Sequence, residues 1–151
     1  MPLLQRTAFN YVPNAPTLDL TTGFTETATT AAVAATGTID FDVNTQSVLF
    51  FTSNASANWT INIRGDSFMR LDTEMAVGQS ITIVHLVTQG STAYYNSAVQ
   101  VDGTTTGVTT RWQGGTAPAA GNASGVDVYS YTIIKTGNAT FSVFAAQVQF
   151  K

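Results

Sequence analysis

One histidine, a pair of closely spaced aspartates and a set of aromatic residues beside turns are the groups in this sequence with chemistry to offer. His85 lies in Ile81-Thr82-Ile83-Val84-His85-Leu86-Val87, where strand alternation puts it on one face with Ile81, Ile83 and Val87. An imidazole on an apolar face reads as a core or interface residue rather than a general base, and no Gly-x-Ser-x-Gly elbow accompanies it. Asp40 and Asp42, two apart, point the same way and with Asp66 or Asp72 would suit a hard cation. Carboxylates on a solvated strand face explain them more simply. Gly114-Gly115 has neither the lysine nor the strand-loop-helix setting of a phosphate loop. With no cysteine, thiol catalysis, zinc thiolate sites and disulfides are excluded. The expectation is a protein without cofactor and without enzymatic activity.

The aromatic residues are a better lead. Trp59 shares parity with Ile61 and Ile63 and reads as core. Tyr94, Tyr95 and Trp112 stand at strand ends beside turns, and Tyr129 and Tyr131 alternate along a strand. All five are candidates for glycan contact or for packing between subunits, since tyrosine and tryptophan serve both.

The elements that must position these residues are strands. Runs rich in Val, Ile, Thr and aromatics cover 38–43, 47–52, 58–64, 68–72, 80–87, 98–102 and 108–112, with turn residues between them. Two longer runs, 126–135 and 139–148, flank Thr136-Gly137-Asn138 and predict a hairpin with Gly137 and Asn138 at its turn. That register sets Ile134 against Phe141, Thr132 against Val143 and Tyr131 against Phe144, and neither face of the hairpin is polar. A sheet with two apolar faces must be covered on both. No helical period is sustained anywhere, and the Ala- and Gly-rich stretch 113–125 is long for a connection in a compact domain. The expected fold is all-β: an antiparallel, jelly-roll-like β-sandwich over residues 36–151 behind an extended N-terminal arm, residues 1–35. In that arm Leu3, Leu4, Phe9 and Tyr11 are the expected contacts, followed by Pro13 and Pro16, which favour an extended course.

Composition sharpens the picture. A chain of 151 residues is long enough to bury about 70% of its unfolded surface without a staple. Only 10% of its residues are charged, and threonine outnumbers every other type; soluble domains usually carry roughly 25% charge. So little charge on so much β surface implies permanent burial in an assembly, with copies of itself as the first partner. The net charge of −3 and the scattered basic residues exclude a nucleic-acid footprint. The uncharged stretch 43–63 is interrupted by Asn, Ser and Thr and does not suit a bilayer. The first residues lack the pattern of a secretory signal, so the four Asn-x-Ser/Thr sequons are expected to go unused in a chain made in a cytoplasm.

Several runs are familiar together: 36–43, Val48-Leu49-Phe50-Phe51-Thr52-Ser53 through Trp59-Thr60, 78–82, 88–96, Trp112-Gln113-Gly114-Gly115-Thr116-Ala117-Pro118 and 129–136. Over residues 36–150 the chain resembles a β-rich module of tailed-phage structural proteins, of the kind found in phages of marine bacteria and cyanobacteria. The resemblance implies a place on the virion exterior, as head decoration, tail fibre or baseplate, commonly in a homotrimer contacting other virion proteins; the alternative, from the aromatic residues, is a carbohydrate-binding or host-receptor-binding module with host-surface glycan as its ligand. It carries over no catalytic motif.

Overall fold

The computed structural model describes residues 27–151, so the arm contacts expected at Leu3, Leu4, Phe9 and Tyr11 lie outside the described residues. The β-branched and aromatic runs form β1 (Ala28–Ala31), β2 (Gly37–Asp42), β3 (Val48–Phe51), β4 (Trp59–Arg64), β5 (Ser80–Thr88), β6 (Asn96–Val101), β7 (Val108–Trp112), β8 (Val126–Gly137) and β9 (Thr140–Phe150). One helical turn, α1 (Leu71–Glu74), interrupts the link from β4 to β5.

The strands do not assemble as an antiparallel jelly roll. They form a six-stranded sheet in the order β1-β3-β5-β8-β9-β7 and a three-stranded sheet in the order β2-β4-β6. The smaller sheet is parallel throughout, and in the larger one β1, β3 and β5 pair in parallel and β7 pairs in parallel with β9. Only β8 runs against its neighbours. The cause lies in the connections. Stacked sheets sit about 10 Å apart, a gap that three or four extended residues cross. Links such as 32–36, 43–47 and 52–58 make that crossing, so consecutive strands alternate between sheets and every second strand returns parallel to its predecessor. The chain coils through the two sheets until β6, passes to the far edge as β7, and fills the interval with the β8–β9 hairpin. This topology also overturns the expectation of a jelly roll of the viral-capsid type.

Two local expectations change as well. Residues 68–72 are not a strand. Their backbone N–H groups are taken by carboxylates: Asp66 Oδ1 accepts from Phe68 at 2.7 Å and Met69 at 2.9 Å, and Asp102 accepts from Leu71 at 2.7 Å and Asp72 at 3.0 Å. With the N–H groups of Phe68, Met69, Leu71 and Asp72 so engaged, the segment cannot join a ladder.

The hairpin forms one residue out of the expected register. Gly137 pairs with Thr140, so Asn138 and Ala139 make the turn, with Ala139 at φ 46° and an irregularity between Lys135 and Gly137. Asp72 fixes this arrangement from outside the hairpin, accepting the Ala139 N–H at 2.7 Å and pairing with Lys135 at 2.8 Å. A one-residue slip exchanges faces. Val143 therefore lies opposite Ile133, and Ala145 opposite Tyr131, while Phe144 moves to the outside opposite Thr132.

The interior is the space between the sheets. Ile39, Phe41, Trp59, Ile61, Ile63, Val99 and Val101 enter it from the small sheet; Leu49, Ile83, Val87, Tyr129, Tyr131, Ile133, Phe141 and Val143 enter from the large one. Leu71 and Met75, at and just after α1, close one end. Thr29 and Ala31 of β1 lie beside Leu49 and Phe51, so the described part of residues 1–35 is built into the large sheet.

Candidate functional site

The two ends of the sandwich differ in chemistry. At the end holding α1 and the β8–β9 turn, charged groups neutralise one another. Arg64 bonds Asp42 at 2.6 Å and Asp40 at 2.9 Å, and Asn62 donates to Asp40 at 2.7 Å. Lys135, with 7% of its surface exposed, is held by Asp72. The hydrogen bond that Arg64 donates to Asp42 raises the Arg64 pKa, and the hydrogen bonds that Asp72 accepts from Lys135 and from the Ala139 N–H lower that of Asp72. The N–H of Phe68 and the amide of Asn44 likewise hold Asp66 low. Asp40 and Asp42, read as possible cation ligands, thus form a pair with Arg64. Among the described residues no group of three His, Cys, Asp or Glu is placed to hold a metal ion.

The opposite end is built from uncharged loops. Asp127, fully buried at the start of β8, is its fastening: its two oxygens accept the Asn122 N–H at 3.2 and 3.1 Å, and Oδ2 accepts Gln89 Nε2 at 2.9 Å. Burial raises the Asp127 pKa, and these donors work against that rise. Gln89 is in turn locked to the backbone of Tyr94, donating to its carbonyl at 2.8 Å and accepting its N–H at 2.9 Å. Asn122 Nδ2 donates to the Phe150 carbonyl at 2.8 Å, and Gln147 Nε2 donates to the Ala120 carbonyl at 3.1 Å and the Tyr129 hydroxyl at 3.0 Å. The long 113–125 loop is therefore tied to β5, β8 and β9.

Against this loop lies a groove of about 560 Å³ between Trp112, Gln113, Gly114 and Thr116 on one side and Gln147 and Gln149 on the other. Gly114 and Gly115, at φ 76° and 81°, turn the chain sharply after Trp112, a conformation that favours glycine. The indole is half-buried and held edge-on by Tyr129 at 6.5 Å and Tyr131 at 6.2 Å between ring centres. A second cleft of about 570 Å³ lies by Gln89, Ser124, Val126 and Phe150. It lacks the combination of a fixed indole and unpaired amides found in the first.

Of the five aromatic candidates, the structure brings only Trp112 into a groove. Tyr94 and Tyr95 are half-buried, Tyr94 packed against the core and Tyr95 donating its N–H to Asn58 at 3.1 Å. Tyr129 and Tyr131 are fully buried and stacked on each other at 6.4 Å, serving as the support behind Trp112 and not as a contact surface. His85 is inside, as its parity indicates. Phe51 and Trp59 meet its ring edge-on at 5.2 and 6.1 Å, and neither nitrogen has a hydrogen-bond partner among the described residues. Sequence reasoning missed Gln147 and Gln149, which follow a strand pattern and give no local sign of facing a loop. It also missed Phe68, 93% exposed on the turn that Asp66 caps.

The outer faces of the two sheets contrast in the same way. The small sheet turns Thr38, Asp40, Asp42, Thr60, Arg64 and Gln100 outward, with Asn62 buried among them, in one cross-strand polar pattern. Across the large sheet runs an apolar row, Phe50 beside Leu86 beside Val128 beside Val148, with Phe144 and Phe150 on the same face. Phe144, Val148 and Phe150 are each about half exposed, at 48%, 47% and 54%. Arg111 is the charged side chain on this face among the described residues, its guanidinium 5.9 Å from the centre of the Phe144 ring.

No family model matches this chain, and neither the curated proteins nor the solved structures compared with it give a match. The resemblance to the tailed-phage module rests on the residues quoted for it.

Proposed function

We propose that this chain is a non-catalytic structural subunit that associates with copies of itself, as a homotrimer, through the outer face of its six-stranded sheet. The observation that carries the reading is the unbroken Phe50–Leu86–Val128–Val148 row on a face nearly free of charge, while the other sheet presents ion-paired side chains to water. A part-exposed apolar patch spread over four strands marks an interaction surface, and where it meets a different part of the neighbouring copy the head-to-tail contact closes into a ring, three copies giving the trimer. The virion exterior as its setting, among other virion proteins, is supported by the resemblance over residues 36–150 and by the low charged fraction of 10%.

Light scattering at micromolar concentration should give three times the 16.0 kDa mass of one chain. Val128→Glu, which puts a charge in the middle of the row, should give single chains whose circular dichroism matches the parent. A monomeric parent protein, or an undiminished oligomer carrying Val128→Glu, would refute the reading.

A further inference from the structure

We infer that the groove beside Trp112 is a binding site for a neutral oligosaccharide. This goes beyond the assembly reading and does not depend on it. Three observations converge on the ligand class.

The first is an aromatic surface whose orientation is fixed. Trp112 is braced by two perpendicular rings, Tyr129 and Tyr131, that are themselves immobile in the core. A half-exposed indole held this way offers a flat apolar contact at little cost in side-chain entropy, which suits the C–H faces of a pyranose ring.

The second is a set of amides with open valences. The side-chain amides of Gln113 and Gln149 are exposed and make no side-chain hydrogen bond with other described residues. Gln147 spends its Nε2 on Ala120 and Tyr129, which fixes the amide and leaves Oε1 as an acceptor at the groove. Each primary amide offers donors and an acceptor together, the same dual character as a sugar hydroxyl. Oriented polar groups around an apolar floor are the general form of a small-molecule site.

The third is charge. None of the residues lining the groove is ionisable, and the ion pairs of Arg64 with Asp40 and Asp42 and of Lys135 with Asp72 lie at the far end of the sandwich. A phosphate, a carboxylate or an acidic sugar entering the groove would give up water and meet no cation. A neutral sugar meets partners for both its faces and its hydroxyls.

The protein supplies its own reporter. It has two tryptophans, and Trp59 is 1% exposed, so a ligand-induced change in tryptophan emission originates at Trp112. The intact chain is titrated with maltohexaose, cellohexaose and mannohexaose, and with a galacturonic acid hexamer as the anionic control. A saturable emission change is expected with at least one neutral hexasaccharide and none with the acidic one. Trp112→Ala removes the reporter, so its binding is read by isothermal titration calorimetry, where it should be weaker by roughly tenfold or more, the loss of about one aromatic contact. Because that variant also withdraws support from the two tyrosines, the deciding variant is Gln113→Ala with Gln149→Ala. These side chains hold nothing in the fold, and losing both should weaken binding about fivefold or more. No response to any neutral hexasaccharide, equal binding of the acidic one, or unchanged affinity in the double variant overturns the inference.

Discussion

Between pH 7.5 and pH 4.5 the folded state should lose about 3 kcal/mol of stability through His85, and His85→Leu should abolish that loss. The imidazole is fully buried among Phe51, Trp59 and the neighbouring strands, and desolvation depresses its pKa from the ordinary 6.5 to about 3. Its cross-strand partners are Leu49 and Tyr129, and no charged side chain on either sheet contacts the ring to favour the cation. Above pH 6.5 both states carry a neutral ring and protonation contributes nothing. Below it the unfolded chain takes up a proton that the folded chain refuses until about pH 3, so stability falls as the pH drops through this window. Asp127 acts in the opposite direction: burial raises its pKa, so the folded state binds that proton first and gains stability as the pH falls towards 3.8. The comparison with His85→Leu cancels this contribution, because both proteins carry Asp127. Asp66 and Asp72, held low by their hydrogen bonds, lose their stabilising effect only below 3.8. Urea midpoints measured every half pH unit should diverge below pH 6.5, the parent falling steadily relative to the variant. Parallel curves would mean that the ring is hydrated or paired in solution.

The same histidine illustrates how far the sequence can be read. Its burial followed from parity alone, as did that of Trp59, because alternation depends only on the strand and not on its partners. Pairing is another matter. A run such as Val48–Phe51 looks the same whether its neighbour is parallel or antiparallel, and the turn residues that follow it are compatible with a hairpin or with a crossing to the other sheet. The two-sheet coil is a property of link length against sheet spacing, which no single run encodes. The hairpin register failed for a related reason. Gly137-Asn138 is a strong local signal, but Asp72, far away in sequence, captures the Ala139 N–H and the Lys135 ammonium and so selects the neighbouring register. The candidate site was legible to the extent that Trp112 is a turn-flanking aromatic. Tyr129 and Tyr131 share its residue class but not its exposure. Gln147 and Gln149 join it only because β9 returns alongside β7.

Asp127→Ala should cost about 2 kcal/mol and release the loop that walls the Trp112 groove. The carboxylate is an acceptor facing donors on two sides, the Asn122 N–H and Gln89 Nε2. Alanine leaves the first without its partner and the second with one bond fewer, in a region where water has little access. Asp127→Asn tests whether the acceptor or the charge matters. Gln89 cannot turn its amide over without breaking both bonds to Tyr94, so it continues to present Nε2. The asparagine can still accept from Asn122 with its oxygen, but its own NH2 then meets the NH2 of Gln89, a donor against a donor. It should therefore cost about 1 kcal/mol, less than alanine, even though it removes a buried charge whose protonation burial already favours. Hydrogen exchange separates a local effect from a global one. In Asp127→Ala the amides of residues 119–125 should exchange faster under conditions where those of β5 and β8 remain protected, and the Trp112 emission should shift to the red as the groove admits water. An alanine variant with parental stability and parental exchange in the loop would show that the remaining ties, Asn122 to Phe150 and Gln147 to Ala120, hold it unaided. Equal losses in the alanine and asparagine variants would show instead that the carboxylate's charge, and not its geometry as an acceptor, fastens this end of the sandwich.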